Sequence, residues 1–281
     1  MSARLLVLAA AILFSTGGAG IKIQAFSAAQ VSMLRSGIAA AALLLWARRS
    51  LVWSPAAIGA GVIYAGMLTL FVTATKLTTA ANAIFLQSTA PLYVLVLAPW
   101  LLHERFRPRD LVYLTALAAG MVICFFAEQD ASVTAPDPAL GNALGALSGL
   151  VWALTLLSLR YLGRDGAHGA GLSAVVAGNA FACLGALPFA LPLPAARADE
   201  WLTVVYLGVF QIGLAYILLT SAVRHLRALE VSLLLLLEPV LNPVWTWIVR
   251  GEEPGPWTVI GGAVIIVATA AKTVYDARRP L

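Results

Sequence analysis

Charged residues are scarce in this sequence. Asp, Glu, Lys and Arg make up 11% of its 281 residues, whereas an ordinary soluble domain carries about 25%. Hydrophobic residues instead reach 61% of the chain. This composition excludes an ordinary soluble domain and predicts a polytopic membrane protein.

The residues of common active sites are also few. Cys124 and Cys183 both fall inside apolar runs, which favours two free buried thiols over a disulfide or a metal pair. His103, His168 and His225 fall in predicted loops, so none can serve a buried serine nucleophile, a haem or a metal cluster. The GxSxG, HExxH and phosphate-loop motifs do not occur. We therefore predict that the chain is not an enzyme, has no catalytic residues and binds no cofactor or metal.

Long apolar runs are abundant. A helix needs about 20 mostly apolar residues to cross a membrane. Ten such runs occur, with approximate bounds 4–21, 28–47, 55–75, 80–101, 109–127, 140–159, 171–192, 201–222, 229–249 and 256–275. The first run resembles a signal peptide but continues to Ile21, so we interpret it as an uncleaved span. The predicted fold class is an all-α polytopic membrane protein with ten transmembrane helices.

The basic residues indicate how these spans are oriented. Ten spans place both termini on one side, where thirteen Lys and Arg residues fall, against four on the other side. The positive-inside rule therefore predicts a bacterial inner-membrane protein with both termini in the cytoplasm. Because the basic residues lie in short loops and not in one stripe, the net charge of +5 predicts contact with the lipid bilayer and no binding of nucleic acid.

The chain divides into two similar halves at an acidic segment that lacks Lys and Arg. At an offset of 148 residues, Pro91 matches Pro239 and Glu104 matches Glu252. We predict a first repeat at residues 1–127, an external linker at 128–139 and a second repeat at 140–281. Each repeat has five spans, and an odd number gives the two copies opposite orientations, as in many secondary transporters.

The candidate site lies in the fourth and ninth runs, which contain Pro91 and Pro239. Helices interrupted at corresponding places in two halves are the best sequence indication of a transporter site. By helical periodicity Thr89 and Tyr93 share one face of the fourth run, while Gln87 points elsewhere. We predict a central cavity for a small amphipathic solute, lined by Thr16, Asn82, Thr89, Tyr93, Ser148, Trp152, Gln211, Tyr216, Glu238 and Asn242. For the hydroxyls and amides, the alternative is hydrogen bonding between helices or to their own backbone.

Two charged residues within the spans leave further alternatives. Glu238 lies near mid-membrane and either exchanges a proton or binds an amine, or it is a structural carboxyl that is protonated or is bonded to backbone that the prolines free. Arg35 is interpreted as a structural tie that reaches the interface or pairs with a carboxylate. Because Arg35 is the only basic residue that lies well away from the ends of its span, the sequence argues against phosphorylated solutes.

The closing pattern of each half resembles a known family. An apolar span contains Pro91 or Pro239 after a small or acidic residue, a loop glutamate follows, and a glycine-containing apolar span ends the half. This pattern resembles the drug/metabolite transporter superfamily in its ten-helix form with two EamA-type repeats. The resemblance implies that spans 1, 3, 4, 6, 8 and 9 surround a central cavity. Within the superfamily, the chain is similar to bacterial exporters of aromatic and other amino acids.

The functional hypothesis is an exporter of neutral amino acids and similar small metabolites that works by alternating access. Two alternatives remain open: a proton-coupled exporter of lipophilic cations that depends on Glu238, and a non-transporting structural membrane protein with a closed interior. Short loops offer little surface to a large partner, so the chain is predicted to be a monomer.

Overall fold

The computed structural model describes residues 2–103, 108–125, 135–164 and 169–251, together with scattered positions between 257 and 271. Eight helices in this part of the chain are long and apolar enough to cross a membrane. Numbered by span, they are α1 Ala3–Ile23, α2 Ala28–Ala47, α3 Pro55–Leu77, α4 Ala80–Leu102, α6 Pro138–Arg164, α7 Ala170–Ala190, α8 Ala198–Val223 and α9 Ala228–Val249. The helix α5, Pro108–Phe125, lies between α4 and α6.

These helices confirm the predicted fold class of an all-α polytopic membrane protein. The first nine predicted spans correspond to α1–α9. The tenth, residues 256–275, lies largely outside the described residues, as do Glu104, Glu252, His168 and most of the predicted linker. Cys183 is a free thiol, and the side chain of Cys124 also lies outside the described residues.

Local sequence explains where several helices begin. Ser27 caps α2 by accepting a hydrogen bond from the backbone N–H of Gln30, and the Gln30 side chain accepts one from the Ser27 backbone N–H. This reciprocal capping box satisfies two donors that a helix start leaves unpaired. Ser54 caps α3, and Pro55 occupies its first turn, where a missing N–H has no cost.

Three of the helices are interrupted near their middle. The helix α1 consists of Ala3–Ser15 and Gly17–Ile23, α4 of Ala80–Gln87 and Ala90–Leu102, and α9 of Ala228–Leu234 and Leu237–Arg250. The breaks in α4 and α9 immediately precede Pro91 and Pro239, which lack the N–H that would continue the helix. At the break in α9, the Leu235 carbonyl accepts a hydrogen bond from the backbone N–H of Glu238 at 2.9 Å. This donor lies three residues later in the chain, whereas an α-helix would use the residue four later.

The helices pack through small residues and expose large apolar ones. The helix α3 packs against α6 and α7, α2 against α7 and α8, and α1 against α8 and α9. Gly178 lets α7 approach α3 so closely that an added Cβ would lie 2.7 Å from the Gly61 carbonyl oxygen. On the outer surface, Leu45, Trp100 and Phe189 are each about four-fifths exposed. This distribution fits a protein whose outer surface contacts lipid.

Candidate functional site

A small cavity lies where the middle parts of seven helices meet. It encloses about 30 Å³, which is room for about two water molecules. Side chains from α1–α4, α6, α8 and α9 line it: Phe14, Arg35, Met67, Leu68, Phe71, Gln87, Trp152, Gln211, Ile212, Tyr216 and Glu238. This volume is smaller than the roughly 300–1,000 Å³ of a usual ligand pocket.

Aromatic rings form one part of the cavity lining. The Tyr216 ring lies 5.0 Å from the Phe14 ring and 6.3 Å from the Trp152 ring, centroid to centroid. Behind it, the Tyr64 ring lies 4.8 Å from Tyr216. All these contacts are edge-on, the geometry that aromatic quadrupoles favour. The cluster is a rigid apolar surface against which a ring or aliphatic chain can pack.

Arg35 brings a positive charge to the cavity. Its side chain is 1% exposed, and its Nη1 donates to Gln211 Oε1 over a long 3.5 Å. Its Nε has no hydrogen-bond partner in the described part of the chain. The expectation that Arg35 reaches the interface or pairs with a carboxylate was therefore wrong for the residues described. The helices α2 and α8 pack so closely that Arg35 stays in the interior.

Gln211 reaches Arg35 because of a local change in α8. Residues Leu207–Leu214 form a π-helical segment, a rare geometry that is frequent at functional sites. Within it, Gly208 packs against α2, where an added Cβ would lie 2.9 Å from the Arg35 carbonyl oxygen. Gln211 Nε2 also donates to the Phe14 carbonyl at 3.5 Å. The π-helical segment thus links α1, α2 and α8 at the cavity.

Glu238 brings a carboxyl group to the same cavity. It is 8% exposed and lies in the first turn of the second half of α9. Its side-chain oxygens have no hydrogen-bond partner in the described residues. A bond from this carboxyl to freed backbone, one form of the structural alternative, is therefore not seen among the described residues; the functional role of Glu238 stays a prediction.

The structure brings together some of the predicted site residues and separates others. Trp152, Gln211, Tyr216 and Glu238 line the cavity. Thr89 and Ser148 instead donate to carbonyls of their own helices. Thr16 bonds to Tyr206 and to the Leu13 carbonyl, and Asn82 bonds to Asn142. Tyr93 packs against the apolar core, and Asn242 is fully buried beside Gly18.

Gln87 corrects the predicted face of α4. The sequence predicted that Gln87 points away from the face of Thr89 and Tyr93 and that this latter face lines the cavity. In the structure Gln87 lines the cavity, with its Nε2 3.4 Å from Met67 Sδ, and Thr89 and Tyr93 do not. The periodicity assumed a continuous helix, whereas α4 breaks at Ser88. Residues before and after the break are therefore not related by the 100° period of one continuous helix.

Sequence reasoning also missed several cavity residues. Phe14, Met67, Leu68, Phe71 and Ile212 are apolar, and an apolar residue in an apolar helix carries no signal of its position. Arg35 did carry one, since an ionisable residue within a membrane span is by default a candidate for function.

Comparison with known proteins identifies the family. A model described as the EamA-like transporter family matches residues 1–126 and 139–272. The chain belongs to this family. Membership confirms the resemblance drawn from the two proline-containing spans, and it makes the chain a transporter of the drug/metabolite superfamily. A transporter family also argues against an enzyme and against a purely structural role.

Curated relatives and a solved structure agree with this family. The pseudopaline exporter CntI of Pseudomonas aeruginosa, from strains UCBPP-PA14 and PAO1, is 29% identical over 199 residues, or 68% of this chain. The match spans 65% of the length of these relatives. A crystal structure of a protein with 23% identity covers 98% of both chains with a TM-score of 0.75. That likeness shows the fold of this EamA-like transporter.

Proposed function

We propose that this EamA-like transporter exports neutral amino acids, aromatic ones among them, and similar small metabolites across a bacterial inner membrane. One observation carries the proposal: a single cavity combines the rings of Phe14, Trp152 and Tyr216 with the polar groups of Gln211 and Glu238. Such a lining suits a small solute that has both an apolar body and polar ends. The relatives named as exporters support the direction of transport.

The proposed mechanism is alternating access by two inverted repeats, residues 1–127 and 140–281. The breaks in α4 and α9 occur before Pro91 and Pro239, at corresponding places in the two repeats. In secondary transporters, interrupted helices of this kind border a midplane site, and one repeat rocks against the other around it. Rocking would enlarge the cavity and open it first to one side and then to the other. We propose that a monomer suffices, with both termini in the cytoplasm.

Transport by purified protein tests this function. Proteoliposomes loaded with unlabelled phenylalanine or threonine should take up the labelled amino acid by exchange, with saturation, faster than empty vesicles. The Tyr216→Ala variant should lower phenylalanine uptake, because it removes the ring that contacts Phe14 and Trp152. The matched control is Trp100→Ala, which removes an aromatic ring that is 81% exposed. If no amino acid moves faster than in empty vesicles, the proposed function is wrong.

A second candidate function rests on Glu238. A carboxyl that faces the cavity without a hydrogen-bond partner in the described residues could exchange a proton for a lipophilic cation. In that case Glu238→Gln should abolish uphill transport driven by a pH gradient but leave substrate exchange intact. Measuring both activities for ethidium and phenylalanine separates the candidates. Uphill transport by Glu238→Gln that equals the wild type at every pH would discard proton coupling through this residue.

A further inference from the structure

Two ionisable side chains face one cavity, and we propose that they recognise the carboxylate and the ammonium group that a zwitterionic α-amino acid carries on its Cα. Arg35 binds the substrate carboxylate, and Glu238 binds its ammonium group. This inference rests on the proposed function, because it names the chemistry of the substrate in the same cavity. It also assigns a role in substrate binding to Arg35, which we interpreted from the sequence as a structural residue.

The hydrogen-bonding state of Arg35 indicates a missing acceptor. A guanidinium group has five N–H donors, and among the described residues this one makes a single hydrogen bond, the 3.5 Å contact with Gln211. Its Nε is buried without a partner in the described residues. A buried charge left in this state is unfavourable unless something else binds it. A carboxylate matches the need, since it can accept two parallel hydrogen bonds from one guanidinium.

The position of Glu238 indicates a cationic group. Its carboxyl lines the cavity at the start of the second half of α9, where the helix dipole stabilises a negative charge. Within the described residues, its side chain makes no ion pair. An ammonium group that enters the cavity can donate to both carboxyl oxygens.

Arg35 and Glu238 reach the cavity from different sides. Arg35 lies on α2, which packs against α3, α7 and α8, whereas Glu238 lies on α9, which packs against α1 and α4. No ion pair joins the two in the part of the chain that the structure describes, although both line the same cavity as Tyr216. Each charge is therefore available to a ligand, and the rings of Phe14 and Trp152 are available to its side chain.

The pair of charges discriminates between classes of substrate. A simple amine would satisfy Glu238 but would leave Arg35 unpaired and would repel it. A simple carboxylic acid would satisfy Arg35 but would leave Glu238 unpaired and would repel it. Only a ligand with both charges satisfies both side chains, and unpaired buried charge is an effective way to reject the others. The cavity therefore favours amino acids over lipophilic cations.

Competition in wild-type proteoliposomes tests the proposal without any substitution. Uptake of labelled phenylalanine is measured against unlabelled phenylalanine, phenethylamine, which lacks the carboxylate, and 3-phenylpropionate, which lacks the ammonium group. Each analogue should compete about 10- to 100-fold more weakly than phenylalanine, the effect of one buried charged hydrogen-bond partner. If phenethylamine competes as well as phenylalanine, the role of Arg35 is overturned. If 3-phenylpropionate does so, the role of Glu238 is overturned. If phenylalanine itself does not enter, the proposed function fails and this inference fails with it.

Variants then assign each charge to its residue. In Arg35→Gln, phenylalanine should compete no better than phenethylamine, and Arg35→Lys should recover part of the difference. In Glu238→Gln, phenylalanine should lose its advantage over 3-phenylpropionate instead. Arg197→Gln is the matched control, because the Arg197 side chain is 82% exposed and pairs with Asp199, and its ratios should equal those of the wild type. An equal loss for all three ligands in the Arg35 variants would show a structural role and overturn the proposal. If these variants do not fold, the wild-type ratios decide.

Discussion

At the residue scale, the interior of this protein distinguishes ordinary buried polar groups from unusual ones. Thr75 donates to the Phe71 carbonyl and Ser88 donates to the Ile84 carbonyl, so each hydroxyl is satisfied within its own helix. Bonds of this kind let a hydroxyl lie in an apolar helix with little free-energy cost. Arg35 and Glu238 lack equivalent partners in the described residues. Because the buried hydroxyls of Ser32 and Ser36 also lack a partner there, it is the ionisable character of Arg35 and Glu238 inside membrane spans, and not the absence of a partner alone, that indicates a site.

Two glycines of α7 give a matched test of helix packing. An added Cβ at Gly178 would lie 2.5 Å from Tyr64 Cδ1 and 2.7 Å from the Gly61 carbonyl oxygen, whereas at Gly185 nothing lies within 4 Å. We predict that Gly178→Ala destabilises the protein by about 1 to 3 kcal/mol, because it forces α3 and α7 apart. Gly185→Ala should leave stability unchanged or slightly higher, because Ala favours the helix.

Thermal unfolding of both variants in the same detergent measures this difference. Gly178→Ala should show the lower midpoint, and it should also alter transport, because Tyr64 packs behind Tyr216 in the cavity. Equal midpoints for the two variants would mean that the close contact between α3 and α7 contributes nothing to stability.

At the scale of elements, helix breaks decide which side chains reach the cavity. The break in α4 follows Gln87, and the break in α9 precedes Glu238. These two cavity residues therefore lie close to an interruption. The π-helical segment of α8 has the same effect on Gln211. An uninterrupted helix would rotate these side chains by a fixed 100° per residue. The interruptions relax that constraint and bring side chains of three helices into one cavity.

Restoring the helical N–H at the two breaks should therefore impair transport. We predict that Pro91→Ala and Pro239→Ala lower the rate of phenylalanine exchange at least about fivefold. Alanine supplies the N–H that proline lacks, and a continuous helix would turn Gln87 and Glu238 away from the cavity. Thermal stability should be equal or higher, since each variant gains a backbone hydrogen bond. The control is Pro55→Ala, at the first turn of α3, where the missing N–H has no function. Full exchange activity in both variants would contradict a functional role for the breaks.

At the scale of the whole molecule, hydrogen bonds join the helices at both ends of the bundle. At one end, Lys22 Nζ donates to the Thr78 carbonyl at 2.7 Å, and Lys76 Nζ donates to the Gln24 carbonyl at 2.8 Å. At the other end, Arg4 forms an ion pair with Glu230 at 2.7 Å. Each set of contacts therefore joins helices at one end of the bundle. Alternating access requires one set of contacts to break at a time.

Breaking the ion pair of Arg4 and Glu230 should favour opening at that end. We predict that Arg4→Ala or Glu230→Ala increases access to the cavity from the side of the N-terminus by up to about fivefold, the effect of a partly exposed ion pair. A single cysteine at Met67, in a background with Cys124 and Cys183 replaced by Ala, reports access through its labelling rate with a water-soluble thiol reagent. The exchanged pair, Arg4→Glu with Glu230→Arg, should restore the slow rate. Identical rates in all four proteins would show that this ion pair does not influence opening.

Much of the architecture follows from the sequence because a membrane span is a property of a continuous segment. About 20 apolar residues suffice to cross the bilayer, and the eight long apolar helices lie where the runs predict them. Part of the site also follows, because Trp152, Gln211, Tyr216 and Glu238 are polar or aromatic within apolar helices. Rare residue types in such surroundings can be found without knowing the packing.

The sequence by itself therefore determined the fold class and the family, since both depend on patterns read along the chain. Only the tertiary structure decided which residues share the cavity. Phe14, Arg35 and Tyr216 are far apart in sequence and meet because α1, α2 and α8 pack together. Gln87 joins them because α4 breaks one residue later, which no fixed helical period can represent. Packing and local distortion of helices are properties of the assembled bundle, and they make Arg35 a candidate for substrate recognition.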